Sequence, residues 1–270
     1  MNILQMFSYP FMQRALIAGV LVSLCAALLG VSLVLKRYSM IGDGLSHVSF
    51  GALAIAVALD VTPLYFSIPV VILAAFLLLK MASHPRWNSD AAIAVMSASA
   101  LAIGILVISR TTGMTTDVDN YMFGSVLAMS QTDVALSVVL CIAVLALFIL
   151  FYHKLFAVTF DENFSRATGL NVDWYNSLLA ILTALTIVLG MRMMGAMLIS
   201  SLVIFPALTA MRLFKSFRSV ILCAAATSVL CFCAGLTISF AFSTPVGATV
   251  VAADLTLFLL SCMVSFLRRR

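Results

Sequence analysis

The chain has 270 residues, of which 64% are hydrophobic and only 9% are charged. Ordinary globular domains carry roughly 25% charged residues, so a soluble domain of this size could not bury so much apolar surface. The composition therefore predicts a polytopic membrane protein. The basic residues behind the net charge of +5 cluster between apolar runs, which is a mark of membrane topology and no sign of nucleic-acid binding.

A helix needs about 20 apolar residues to cross a bilayer, with a range of roughly 17–25. The glycine-bearing stretch GMRMMG (190–195) predicts a tight hairpin between two short helices in place of one very long helix. We expect an all-α transmembrane bundle of about eight to nine helices, forming a single transmembrane domain over 1–270. The nine apolar runs lie at approximately 15–35, 41–59, 63–80, 91–109, 133–152, 176–191, 195–211, 219–241 and 246–267.

Lysine and arginine predict the orientation, because short cytoplasmic loops are enriched in both. With the N-terminus outside, twelve of the fifteen basic residues fall on the inner side of the membrane. This asymmetry predicts a cytoplasmic C-terminus. The inner set comprises Lys36, Arg37, Lys80, Arg86, Lys154, Arg166, Arg212, Lys215, Arg218 and Arg268 to Arg270.

The second apolar run begins with MIGDGLSHVSFGA (40–52), which places an acid and a histidine four positions apart. Asp43 and His47 would share one face of a helix, about one turn apart. A charge at the centre of a bilayer costs on the order of 2.5–3.5 kcal/mol, so such residues usually serve ions, protons or substrates. A carboxylate oxygen and an imidazole nitrogen at this spacing form half of a site for Zn²⁺ or Mn²⁺. Ser46 and Ser49 add weaker oxygen donors.

Other roles for this pair stay open on the residues alone. Asp43 could cap its helix while His47 bonds a backbone carbonyl, or the two could relay protons. Two ligands are too few for a closed tetrahedral zinc site, although a transport site need not be closed and a second subunit could supply more. Asp254, in the last run, could line the same path or pair with a hydroxyl such as that of Thr256 or Ser261.

The inner connection VTFDENFSRATGLNVDWY (158–175) differs from a bare linker. Asp161 and Glu162 would begin a short helix, because acids favour a helix N-terminus, and Gly169 would end it. Such a helix offers a docking surface for a partner. A capped loop helix without a partner fits the same residues equally well.

Two motifs that are absent from the sequence limit how the protein could be driven and which reactions it could catalyse. The nucleotide-binding pattern G-x-x-x-x-G-K-[ST] is absent from the sequence, so ATP that drives transport must be hydrolysed by another polypeptide. The chain is therefore expected to be a transport subunit and no enzyme. The H-E-x-x-H pattern is also absent, which excludes an intramembrane metalloprotease. A secondary transporter driven by an ion gradient, with Asp43, His47 and Asp254 as a relay, stays open.

Four ordered motifs resemble one known family, the integral-membrane permeases of bacterial zinc- and manganese-uptake ABC transporters. Residues 11–59 are similar to the opening of these permeases, including the G-D-x-L-S-H signature at 42–47. YMFGSVL (121–127) is similar to a motif before their fifth span, and FDENFSRATGL (160–170) resembles their cytoplasmic coupling loop. MGAMLISSLVIFPALTAMRL (194–213) resembles their G-x-L-L-x-x-x-L-x-x-x-P-A-x-x-A stretch.

The resemblance implies an importer in the bacterial cytoplasmic membrane, with a fold similar to that of the cobalamin-importer permeases. Its expected partners are a second copy of the chain, two cytoplasmic ATP-binding-cassette ATPase subunits and an extracytoplasmic metal-binding protein. The metal is cargo, so no permanently bound cofactor is expected, and ATP acts only through the partner. The resemblance assigns Asp43 and His47 to metal contact, and it assigns to the coupling loop Asp161, Glu162, Arg166 and Gly169.

The transported ion is expected to be zinc, with manganese as the alternative. The segment GDGLSHVSFG (42–51) is closer to the zinc branch, whereas manganese permeases more often read S-H-A-V-L-P-G. The ligands themselves do not separate the two ions, because the delivering protein does most of the selection. Whether Asp254 contributes to the path stays open.

Overall fold

The computed structural model describes residues 10–82, 89–111 and 131–268. Every regular element in these ranges is a helix. In chain order the helices are α1 (Pro10–Leu35), α2 (Ile41–Ala58), α3 (Pro63–Ala82), α4 (Ser89–Thr111), α5 (Gln131–Leu150), α6 (Tyr152–Phe160), α7 (Glu162–Ala167), α8 (Val172–Met194), α9 (Ala196–Leu213), α10 (Phe217–Phe242) and α11 (Val246–Arg268).

Within these ranges, nine helices are long and apolar enough to cross a membrane, namely all except α6 and α7. The prediction of an all-α polytopic bundle is confirmed, and the count is the upper of the two expected values. The agreement has a simple cause. A bilayer offers no partner for backbone N–H and C=O groups, so each crossing segment must be a complete helix of apolar side chains.

The turn of the hairpin predicted at 190–195 contains fewer residues than expected. The backbone stays helical through Met194, and only Gly195 leaves the helical conformation, with φ 84° and ψ 162°. A left-handed φ of this kind favours glycine, which has no Cβ to clash. The N–H of Gly195 still donates to the carbonyl of Met191 at 2.9 Å. One glycine therefore reverses the chain between α8 and α9.

The sequence predicts a connection between the apolar runs 133–152 and 176–191, and the structure places an additional helix, α6, in this connection. It is nine residues long and follows α5 after a break at Phe151. Its aromatic side chains pack on the first residue of α10, since the ring centroids of Phe156 and Phe217 are 4.8 Å apart and those of Phe160 and Phe217 are 5.8 Å apart. The segment is too short and too mixed in polarity to be recognised as a span, and its packing partner lies far along the chain.

Helices α1, α2 and α8 form the buried centre of the bundle. A larger share of their residues is buried than in α4, α5 and α11. Small residues permit their close approach. A Cβ on Gly51 would lie 2.7 Å from the carbonyl oxygen of Ala100, so α2 and α4 touch through their backbones there. On α1, Gly30 faces Val203 of α9 in the same way.

Successive spans run in opposite directions between two ends of the bundle. We call one the α7 end, where α1 ends, α7 lies and α8 begins; there Lys36 contacts Glu162 and Asn176. The other is the hairpin end, which holds Gly195. At that end the Arg192 guanidinium on α8 pairs with Asp133 at the start of α5, with N and O 3.0 Å apart. Helix α11 runs toward the α7 end.

The contact between Gly30 and Val203 generates the first prediction. A Cβ on Gly30 would lie 2.0 Å from the Val203 carbonyl oxygen, whereas a Cβ on Gly42 would lie 3.6 Å from a Val203 methyl carbon, an ordinary contact. Gly30→Ala should therefore destabilise the protein by about 1–3 kcal/mol, as overpacking does, and Gly42→Ala should not. Thermal unfolding of the detergent-solubilised protein measures this. Equal midpoints for the two variants would contradict the packing described.

Candidate functional site

Asp43 and His47 lie in the first two turns of α2 and face each other. His47 Nε2 is 3.7 Å from Asp43 Oδ2, and the two side chains are 20% and 41% exposed. Ligand atoms that share a tetrahedral zinc ion at about 2.1 Å lie about 3.4 Å apart. The observed separation is close to that spacing, so a small rotation of either side chain would place both atoms on one ion.

The carboxylate of Asp43 does not cap its helix. Helix α2 begins after Met40 with no side-chain hydrogen bond at its cap. The Ser200 hydroxyl of α9 lies 3.4 Å from Asp43 Oδ1, and the Ser46 hydroxyl donates to the Asp43 carbonyl at 2.7 Å. Ser200 Oγ also donates to the Ala196 carbonyl of its own helix at 3.0 Å, and its approach to Asp43 is a contact between helices that the sequence does not reveal.

An open groove of about 570 Å³ runs between α2 and α4 beside Asp43. The first turn of α4 places a second carboxylate, Asp90, on this groove. Asp90 lies just before the apolar run at 91–109, so the sequence does not indicate that it belongs to the site. The only signal is the helical spacing between Asp90 and other lining positions of α4. The groove is lined by Met40, Asp43, Asp90, Ile93, Ala94, Ser97, Ala98 and Leu101.

The pair is an incomplete ligand set. Among the residues that the structure describes, no three or more His, Cys, Asp or Glu side chains gather into a group able to hold a metal ion. The site can therefore supply two protein ligands and leaves the other coordination positions to water or to another chain. Such a site favours exchange of an ion over permanent retention.

Asp254 lies apart from this pair. It is 2% exposed on α11, its carboxylate lies against the Cys231 thiol of α10, and it does not line the groove beside Asp43. The alternative pairing with a hydroxyl was wrong, because Thr256 and Ser261 bond to backbone carbonyls of their own helix. The structure does not bring Asp254 together with the residues expected to contact metal.

Helix α7 has the two ends that the sequence predicts. Asp161 Oδ1 accepts the Phe164 N–H at 2.9 Å, which satisfies a free donor at the helix start. At the other end Gly169 has φ 85°, its N–H donates to the Arg166 carbonyl, and Leu170 N–H donates to the Ser165 carbonyl. This is the double hydrogen bond of a Schellman ending. Both predictions rest on local sequence alone, which explains their success.

A polar cluster joins α7 to the rest of the α7 end. Lys36 Nζ donates to Glu162 Oε1 at 2.6 Å and to Asn176 Oδ1 at 2.5 Å, and Asn176 Nδ2 donates to the same Glu162 oxygen at 3.2 Å. Partial burial works to raise the pKa of Glu162, but the hydrogen bonds from Lys36 and Asn176 and the charges of Lys36 and Arg166 together lower it. Burial and the nearby Glu162 carboxylate raise the pKa of Tyr38.

Comparison with known proteins gives consistent matches over nearly the whole chain. The sequence profile of the ABC 3 transport family matches residues 8–265. The chain is 32% identical to the high-affinity zinc uptake system membrane protein ZnuB of Haemophilus influenzae, over 92% of this chain and 95% of that protein. It is 30% identical to the manganese import system permease protein ScaB of Streptococcus gordonii, over 95% of this chain and 92% of that protein.

Two solved structures share the fold. PsaBC from Streptococcus pneumoniae, in complex with Fab, matches with a TM-score of 0.85 and 30% identity, over 96% of this chain and 95% of that one. An inward-facing conformation of a metal-chelate type ABC transporter matches with a TM-score of 0.74 over 93% of this chain and 85% of that one. At 15% identity, the second likeness concerns the fold alone.

The helical bundle with its candidate membrane spans, together with these matches, defines the class of the chain as the membrane-spanning component of a transport system. The chain belongs to the ABC 3 transport family. The family resemblance is thereby confirmed. The motif YMFGSVL (121–127), on which the resemblance partly rests, lies outside the described residues.

The cap of α7 generates the second prediction. Asp161→Ala removes the acceptor of the Phe164 N–H, a loss that costs about 0.5–2 kcal/mol in other helices. Backbone amides of 162–168 should then exchange with solvent about 2- to 30-fold faster, as measured by hydrogen exchange and mass spectrometry. Asp161→Asn keeps an acceptor and should exchange like the parent. Identical exchange in both variants and the parent would show that this cap does not hold the helix.

Proposed function

We propose that this chain is the permease subunit of an ATP-driven importer of a divalent transition metal. The observation that carries the proposal is the Asp43–His47 pair, whose ligand atoms lie 3.7 Å apart and whose Asp43 lines an open groove. An ion stripped of water needs replacement ligands and must also leave again. Two ligands provide brief coordination without the deep energy well of a four-ligand site.

Zinc is the first candidate for the cargo and manganese the second. Imidazole and carboxylate ligands accept both ions, and the relatives include both a zinc uptake protein and a manganese import protein. The segment 42–51, which is closer to zinc permeases, favours zinc. The metal is cargo throughout, and no permanently bound cofactor is part of the proposal.

The proposed assembly contains a second copy of the chain, two cytoplasmic ATP-binding-cassette ATPase subunits and an extracytoplasmic metal-binding protein. Helix α7 is the proposed contact with the ATPase. Phe164 on α7 is 65% exposed and the neighbouring Trp174 is 47% exposed, and aromatic side chains of this kind are common anchors in protein interfaces.

The α7 end is proposed to face the cytoplasm of a bacterial cell, with the chain crossing the cell membrane several times as one transmembrane domain over 1–270. Basic residues support this orientation, because Lys36, Lys80, Arg166 and Arg212 all lie toward the α7 end. The C-terminus, after α11, then lies in the cytoplasm as well. Membership of an ABC family disfavours the alternative of a transporter driven by an ion gradient.

The third prediction tests the metal pair. Asp43→Asn and His47→Ala should each lower zinc or manganese uptake at least tenfold, because each removes one of only two ligands. The measurement is uptake of radiolabelled zinc and manganese by cells that produce the chain with its partner subunits and lack other high-affinity uptake. The amount of each variant in the membrane and its co-purification with the ATPase serve as controls. Uptake of both metals at the parent rate by either variant would refute the proposal.

The fourth prediction concerns the Ser200 hydroxyl, which lies beside the Asp43 carboxylate. Ser200→Ala removes the contact with Asp43 Oδ1 and should raise the metal concentration that gives half-maximal uptake about 2- to 12-fold, the equivalent of about 0.5–1.5 kcal/mol for one hydrogen bond. Ser201 is the matched control, since both hydroxyls donate to a carbonyl of their own helix and, of the two, Ser200 is the one that also contacts Asp43. Ser201→Ala should stay within about twofold of the parent. Equal effects of the two substitutions would remove Ser200 from the site.

A further inference from the structure

Lys36 is an unusual side chain for the end of a membrane helix. Its side chain is only 5% exposed, although the residue follows the last turn of α1 at the α7 end. A lysine in this position can ordinarily extend its ammonium into water. Here the ammonium turns inward and donates to Glu162 of α7 and Asn176 of α8. Three separate segments of the chain therefore meet at one buried cation.

The same residue begins the connection that leads to the metal pair. Arg37 turns the chain with a left-handed φ of 62°. Tyr38 N–H then donates to the Leu33 carbonyl at 2.8 Å, and the Tyr38 carbonyl accepts from Ile41 N–H at 3.0 Å. These bonds tie the end of α1 to the start of α2. Since only six residues separate Lys36 from Asp43, a displacement of Lys36 acts on the first turn of α2 through a short, hydrogen-bonded turn.

Asn176 and nearby charges stabilise the ion pair of Lys36 and Glu162. Burial raises the pKa of Glu162, but Lys36, Asn176 and Arg166 together lower it, so its carboxylate is ionised at neutral pH. Asn176 supports both partners, since its oxygen accepts from Lys36 and its nitrogen donates to Glu162. The connection also borders a cavity of about 20 Å³, lined by Lys36, Tyr38, Leu45 and Thr183 among others, so its packing leaves room for a small shift.

We propose that Lys36 is a positioning residue that transmits movement of α7 to the start of α2, and so to the Asp43–His47 pair. The inference rests on the proposed function, because it assigns the movement of α7 to an ATPase docked there. Lys36 does not touch the metal. It converts a shift of Glu162 into a shift of the helix that holds both ligands. The link is the Lys36–Glu162 ion pair, followed by the six residues between Lys36 and Asp43.

The test measures metal ions transported per ATP hydrolysed, in vesicles that contain the chain, its ATPase and its binding protein. Lys36→Met removes the buried charge and leaves Glu162, which is 45% exposed and can be hydrated, so the fold should survive. ATP hydrolysis should stay within about twofold of the parent, while the transport ratio should fall at least tenfold. A merely structural role would lower the amount of active complex and leave the ratio unchanged.

A charge exchange provides the decisive second variant. Lys36→Glu combined with Glu162→Lys restores an ion pair between the same segments and should recover at least a third of the parent ratio, whereas each single change should not. Asp173→Asn is the matched control, because it breaks the exposed pair of Asp173 with Arg166 at the same junction, and exposed pairs contribute little. Its ratio should equal that of the parent.

The outcomes separate the two proposals. If parent vesicles show no ATP-dependent uptake of zinc or manganese, the proposed function is wrong. If the parent transports and Lys36→Met keeps the parent ratio, the function stands and the inference about Lys36 is wrong. An exchanged pair that behaves no better than the single variants also overturns the inference, since it shows that the pairing of these two residues is not what transmits movement.

Discussion

The hydrocarbon interior of a bilayer cannot hydrogen-bond a polar group, and the rest of this structure follows from that constraint. Backbone groups are satisfied inside helices, and most hydroxyls bond to carbonyls of their own helix, as those of Thr183 and Ser201 do. Such residues bring a polar atom into the bundle without linking helices. Ser200 differs from them, because its hydroxyl donates to the Ala196 carbonyl of its own helix and also contacts Asp43 on another helix.

Features that depend on local sequence were predictable, and features that depend on distant contacts were not. The spans follow from runs of about 20 apolar residues, the turn at Gly195 from glycine, and the ends of α7 from Asp161 and Gly169. The groove beside α2 was missed because Asp90 lies 47 positions after Asp43 in the sequence, and no periodicity joins them. The contact between Lys36 and Glu162 spans 126 positions, which is beyond any local pattern.

Small residues also show that local sequence does not predict which helices come into contact. The segment GALAIAVA (51–58) is rich in small residues, and its Gly51 lies against the backbone of Ala100 of α4 within the same chain. Small side chains permit the backbones of two helices to approach closely. They do not determine which helix approaches, so small residues in a span are weak evidence for contact between two copies of the chain.

The two ion pairs at opposite ends of the bundle give the helices unequal freedom. Helix α8 is held at both ends, since Asn176 bonds Lys36 near its start and Arg192 pairs with Asp133 near its finish. Among the residues that the structure describes, no such ion pair joins an end of α2 to a neighbouring helix. Helix α2 depends on packing against α3, α4, α8 and α9 and on the short turn from Lys36. By these contacts α8 is the more restrained of the two helices, and α2, on which Asp43 and His47 lie, is the less restrained.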